Sequence, residues 1–137
     1  MSDTDALLTL DLPYPPTIGT YWGHRVIASP GRKPRVHMFI KEQGTAFREY
    51  VVDLAAESGH PKILPKDGQL IWMRVVAYPP DRRKRDLDNI SKALLDALQN
   101  AGLFADDYLI GRIEAERLGK VPGGRCVVSL GVYDTGG

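Results

Sequence analysis

Apolar and polar positions alternate along several short runs of this chain and recur at helical spacing in two others. Leu7 to Leu12 predicts a strand, and Pro13-Tyr14-Pro15-Pro16 ends it, because prolines lack the amide a paired central strand needs. Arg25 to Ala28 and Val36 to Ile40 predict two further short strands across a turn at Ser29 to Pro34, together a basic hairpin. Phe47, Tyr50, Val51, Leu54 and Ala55 recur at helical spacing, giving a helix over roughly residues 42 to 58, closed by Gly59-His60-Pro61. Gln69 to Tyr78, rich in Ile, Trp, Met and Val, predicts a long central strand ended by Pro79-Pro80.

Leu87, Ile90, Leu94, Leu98 and Ala101 mark one face of a second helix, with Asp88 expected as its N-cap and Gly102 as its stop. Leu103 to Leu109 reads as a loop carrying Asp106-Asp107. Ile110 to Leu118 and Arg125 to Tyr133 follow as strands, and the turn Val121-Pro122-Gly123-Gly124 predicts that they form a hairpin. The expectation is one small α/β (α+β) domain over residues 1–137, a mixed β-sheet with two main helices, frayed at 1–5 and 135–137. It has no internal repeat or low-complexity tract.

Composition adds little to that outline. Apolar residues at 43% and charged residues at 26% are ordinary for a globular chain. One cysteine, Cys126, excludes an internal disulfide and reads as a small apolar strand residue, and with no signal-like start or apolar span the expected location is cytoplasmic, away from membranes.

The net charge of +1 argues against a nucleic-acid coat protein, yet the charges are segregated. Arg25, Arg32, Lys33, Arg35, Lys41 and Arg48 face a single acid, Glu42, between Tyr21 and Arg48, and Arg82, Arg83, Lys84 and Arg85 form a second basic cluster. The acids gather later in the chain. Basic segments beside a carboxylate cluster suit a protein that holds a polyanion and also the metal that attacks it.

The chemistry centres on Asp81-Arg82-Arg83-Lys84-Arg85-Asp86-Leu87-Asp88-Asn89, at a strand-to-helix junction. Asp86 and Asp88, two apart, can converge on one side of the helix start and offer the oxygen ligands magnesium prefers. Lys92, four residues after Asp88, lies on the same helix face, where an ammonium holds a phosphate or stabilises developing negative charge. Singly, an Asp at a helix start is more often a cap and an Asp-Lys pair more often a surface ion pair; the arginine density between strand and helix is what favours a site. Asp106-Asp107 offers a third carboxylate, provided the chain folds back along a helix about 20 Å long.

This run, with Lys92, Asp96-Ala97-Leu98, Ala101-Gly102, Asp106-Asp107 and Gly123-Gly124-Arg125, resembles the RusA family of Holliday-junction resolvases; Leu12-Pro13-Tyr14-Pro15-Pro16 is a fainter match. The resemblance implies a small α/β homodimer that cuts four-way DNA junctions by paired nicks with magnesium. It places the metal-binding acids on Asp86, Asp88 and Asp107, with Asp106 the weaker choice, and the essential lysine on Lys92. Manganese is an expected substitute for magnesium, and a phage or prophage origin is among those the resemblance allows. Thr17 to Gly23 departs from the family's asparagine-containing polar stretch, and the loop from His24 to Val36 is long and basic for the pattern.

Other residues carry less. His24, His37 and His60 lack the spacing of a zinc site, no phosphate loop supports a nucleotide cofactor, and Ser91 has no nucleophile's partners. Trp72 is expected in the core, and for Trp22 packing is favoured over stacking on an unpaired base. The resulting assignment is a magnesium-dependent endodeoxyribonuclease for four-way junctions in recombination and repair. Asp86, Asp88, Asp107 and Lys92 are its catalytic residues; Arg82 to Arg85, Lys92, Arg25, Arg32, Lys33 and Arg35 bind DNA. The rivals are a DNA-binding module without catalysis and a branched-DNA nuclease that prefers flaps.

Overall fold

Four strands form the main sheet of the computed structural model, which describes residues 5–81 and 87–137. The basic cluster Arg82 to Arg85, Asp86 and Met1 to Thr4 lie outside the described residues. The elements in chain order are β1 (Leu8–Leu12), α1 (Ile18–Tyr21), β2 (Trp22–Ile27), β3 (Arg35–Ile40), α2 (Glu42–Ser58), β4 (Gln69–Tyr78), α3 (Leu87–Asn100), a 3₁₀ turn (Asp107–Leu109), β5 (Ile110–Arg117) and β6 (Arg125–Asp134).

The sheet order is β1-β6-β4-β5, antiparallel except for the parallel pair β4/β5. This corrects the expected β5–β6 hairpin. β4, ten mostly apolar residues, takes partners on both edges and lies between β5 and β6. The segment after β5 instead crosses the end of β4, with Leu118 N donating to Ala77 O and Val121 N to Pro79 O, both at 2.9 Å. Gly124 ends that crossing at φ 76°, where a Cβ would stand 2.7 Å from Tyr14 Cβ and 3.2 Å from Pro80 Cδ, so the close approach demands glycine. The crossing thereby packs against Pro80, just ahead of the Asp81 to Asn89 run.

Strand periodicity puts Ile71, Met73, Val75 and Ala77 of β4 on one face, in register with Val132, Leu130, Val128 and Cys126 of β6, while Leu8, Leu10 and Leu12 of β1 extend the same layer. Nearly all of these are buried, and Phe47, Val51 and Ala55 of α2 with Ile90, Ala93, Leu94, Ala97 and Leu98 of α3 complete the core. Burial pushes the Cys126 thiol up to about 12. Trp72 is 2% exposed, as expected, but lies on the opposite face, its ring against Gly131 and under the Arg74 guanidinium. Gly59, at φ 64°, ends α2 where a residue without Cβ strain is needed.

Two local expectations change. α3 begins at Leu87, so Asp88 sits in its first turn and does not cap it. Leu87, half-buried against the core, already belongs to the helix. Pro13 to Trp22 is not extended throughout: Ile18–Tyr21 makes one helical turn, closed by Tyr21 N bonding Thr17 O at 2.8 Å. β2 then starts at Trp22, earlier than predicted, and pairs with β3 as a separate two-stranded hairpin.

Candidate active site

The long helix α3 carries one polar stripe. Asp88, Lys92, Asp96 and Gln99 are three or four residues apart, so they share the face opposite the buried Ala93, Leu94, Ala97 and Leu98. Lys92, Asp96 and Gln99 line an open pocket of about 340 Å³ together with Leu95, Ile18, Trp22, Met38 and Asp107. A lysine from the first half of α3 and an acid from beyond its end therefore meet in one cavity.

The chain after α3 explains how Asp107 gets there. Gly102, at φ 80°, turns the backbone, and Leu103 N bonds back to Leu98 O at 3.2 Å. Leu103 and Phe104 are buried, and Leu103 O accepts from Ile63 N at 2.8 Å, so the return path is pinned to the core. Asp106 Oδ1 accepts from Tyr108 N at 3.1 Å and caps the 3₁₀ turn, while Asp107, the next residue, lines the pocket. The two neighbouring acids thus differ in role: one caps, the other faces the cavity.

Asp96, which the sequence left without a role, is a second fixed point of the site. It accepts from Arg48 Nε at 2.7 Å and from Arg48 Nη2 at 2.9 Å, and also from the Tyr21 hydroxyl. This ties α2 and the end of α1 to α3 one turn beyond Lys92. Burial pulls the Asp96 carboxyl upward, but the hydrogen bonds from Arg48 and Tyr21 and the Arg48 charge outweigh it and hold the group below its ordinary value. Burial and the Asp96 bond push the Tyr21 hydroxyl well above its usual range. Its i+4 spacing from Lys92 puts Asp96 on the same helix face, a signal the sequence carries, but nothing in the sequence joins it to Arg48 or Tyr21.

Among the described residues no three His, Cys, Asp or Glu side chains form a group that could hold a metal. Asp86 lies outside them. The described members fit a hard cation by donor chemistry: Asp88 is exposed in the first turn of α3 and Asp107 lines the pocket with Lys92. The three histidines make no such group.

In the hairpin, Arg25, Arg32, Lys33 and Arg35 are all exposed, and Arg25 lies over the Phe39 ring, 5.1 Å from its centroid. Trp22 packs on Tyr21, ring centroids 4.1 Å apart, and also lines the pocket.

A family model described as endodeoxyribonuclease RusA matches residues 14–130. The chain belongs to the RusA family of endodeoxyribonucleases. It is 37% identical over 123 residues to the crossover junction endodeoxyribonuclease rusA of Enterobacteria phage HK97, covering 87% of this chain and 89% of the relative. It is 31% identical over 121 residues to that of Enterobacteria phage 82, covering 88% and 91%, and 30% identical over 122 residues to that of Shigella sonnei, covering 89% and 92%. RusA membership makes the chain a nuclease and implies a divalent metal cofactor in general terms. No helix among the described residues is long and apolar enough to cross a membrane.

Proposed function

We propose that this RusA-family chain resolves four-way DNA junctions by paired symmetric nicks in recombination and repair, hydrolysing the phosphodiester with magnesium, for which manganese substitutes. The observation that carries the reading is the shared pocket of Lys92, from the first half of α3, and Asp107, from the turn beyond its end. Asp86, Asp88 and Asp107 would hold the cation. When bound, it supplies Lewis-acid activation of the phosphodiester and of the attacking water.

The chain's own groups do the rest. Lys92 offers its ammonium to a phosphate oxygen in the pocket, where negative charge grows during attack. Arg82, Arg83, Lys84 and Arg85 follow the end of β4 and engage neighbouring phosphates, and the hairpin's Arg25, Arg32, Lys33 and Arg35 engage a flanking arm. Arg48 and Tyr21 hold Asp96 and so fix the helix that presents Lys92. A two-fold homodimer fits the substrate, since symmetry would put two such pockets on the two like strands of a junction. Action on cellular DNA would place the protein in the cytoplasm, and relatives in phages fit a phage or prophage source.

Cutting a four-way junction, a flap and a linear duplex of equal length tests the reading. Preferential paired nicking of the junction is expected; equal cutting of all three would remove the junction assignment, and flap preference would favour the branched-DNA alternative. Asp86→Asn should abolish cleavage while junction binding survives. Unchanged cleavage would leave a DNA-binding module as the better account.

A further inference from the structure

The hairpin has two unlike faces. Pairing of Trp22 with Ile40, His24 with Met38 and Val26 with Val36 puts those six residues on one face, and alternation puts Arg25, Arg35, His37 and Phe39 on the other. On the first face Val26 is 68% exposed, Val36 67% and Met38 57%, so an apolar shelf stands in water with nothing of this chain's core behind it. Its inner end is not remote from chemistry: Trp22 and Met38 form a wall of the pocket that also holds Lys92 and Asp107.

We infer that the Trp22–Met38 wall receives the nucleobase adjoining the scissile phosphate, and that this contact, resting on the proposed nuclease function, selects where in a junction the strand is cut. A phosphodiester gripped by Lys92 brings the two nucleosides it joins, and so their bases, next to this wall. A base offers a flat π-face that an indole and a thioether accept without regard to charge. Lys92 in the same pocket supplies the complementary charge for the backbone phosphate, so the occupant this wall fits is nucleic acid. The platform is rigid, because Trp22 packs on Tyr21, whose hydroxyl bonds Asp96.

Capturing a base this way requires taking it out of the stack. That is costly inside a duplex and cheapest where the base is already unpaired. In an opened four-way junction the base pairs at the crossover lack a stacking neighbour on one side, so freeing a base costs less there than within a linear duplex, and the same wall that reads the base also favours the branch.

The test is a cycle of base removal and side-chain removal. Junctions carrying an abasic nucleotide on either side of the cut are compared with intact junctions, using wild type, Met38→Ala and Trp22→Ala. With wild type, one of the abasic substitutions should slow cutting roughly ten-fold. Each variant should slow cutting of the intact junction, flatten the preference among bases at the cut, and show little further slowing on that abasic junction. Met38 is more than half exposed, so its variant keeps the fold even where Trp22→Ala does not. Losses that multiply instead of overlapping, or an unaltered spectrum of cut positions in Met38→Ala, overturn the inference. So does a Met38→Ala protein whose oligomeric state changes, since the shelf would then belong to a second copy. If wild type cuts no junction at all, the nuclease function itself falls, a separate outcome.

Discussion

Arg48 holds Asp96 with both arms of its guanidinium, Nε to Oδ2 at 2.7 Å and Nη2 to Oδ1 at 2.9 Å, binding α2 to α3 beside Lys92. Both side chains are under one third exposed, so this pair is worth more than a surface bridge. Arg48→Ala should cost about 1–3 kcal/mol, seen as a several-degree drop in thermal midpoint. The pH dependence has a fixed sign. Asp96 is held below its ordinary value of 3.8, so its contribution is complete above that pH and disappears as pH falls through the lower folded value. Denaturant melts of wild type and Asp96→Asn should therefore differ near neutrality and converge in strong acid; a constant gap would remove Asp96 as the linked group.

Lys92 lies on the exposed face of α3 and lines the pocket, so Lys92→Ala should leave the fold's stability within about 0.5 kcal/mol. Cleavage should fall roughly 10²–10³-fold, as for removal of one donor to developing charge. Single-turnover rates with saturating enzyme separate that effect from weaker binding.

Asp106 and Asp107 give opposite expectations. Asp107→Asn should abolish cleavage, as should chelation of divalent metal, with activity returning when magnesium is restored. Asp106→Asn removes a charge from a cap that asparagine also makes, so stability and cleavage should both stay near wild type. Cleavage abolished in Asp106→Asn and kept in Asp107→Asn would reverse the assignment.

Gly44 packs α2 against the turn before β2: a Cβ there would stand 2.5 Å from Tyr21 O and 2.9 Å from Ile40 Cγ2. Backbone at that distance has to move, so Gly44→Ala should destabilise by about 1–3 kcal/mol. It should also slow cleavage, since Tyr21 is one of the two residues that bond Asp96. A calorimetric midpoint equal to wild type would show that the backbone relaxes freely.

Neutralising Arg25, Arg32, Lys33 and Arg35 together should weaken DNA binding most at low salt and flatten the dependence of log affinity on log salt. The slope changes by about 0.9 for each duplex phosphate that is no longer neutralised. An unaltered slope would mean that the hairpin's charges do not touch DNA.

Much of this protein is determined by local pattern. Short strand-forming runs mark β1, β4 and β6, and the helical spacing in α2 and α3 with Gly59 and Gly102 after them fixes their extents to within two residues. The family and its nuclease chemistry are legible for the same reason, because Asp86 to Lys92 is a contiguous stretch whose order survives in any fold. The pairing of β5 is not legible, since a turn-rich segment permits a hairpin and only competition for the edges of β4 decides against one. Nor is the joining of Arg48 and Tyr21 to Asp96, or of Trp22 and Met38 to Lys92: these are meetings of distant segments, set by how helices and hairpin pack. The run from Asp81 to Asn89 argues for metal-dependent cutting of DNA from sequence alone. The pocket in which Asp107 faces Lys92 exists only because Gly102 turns the chain and burial of Leu103 and Phe104 holds it there.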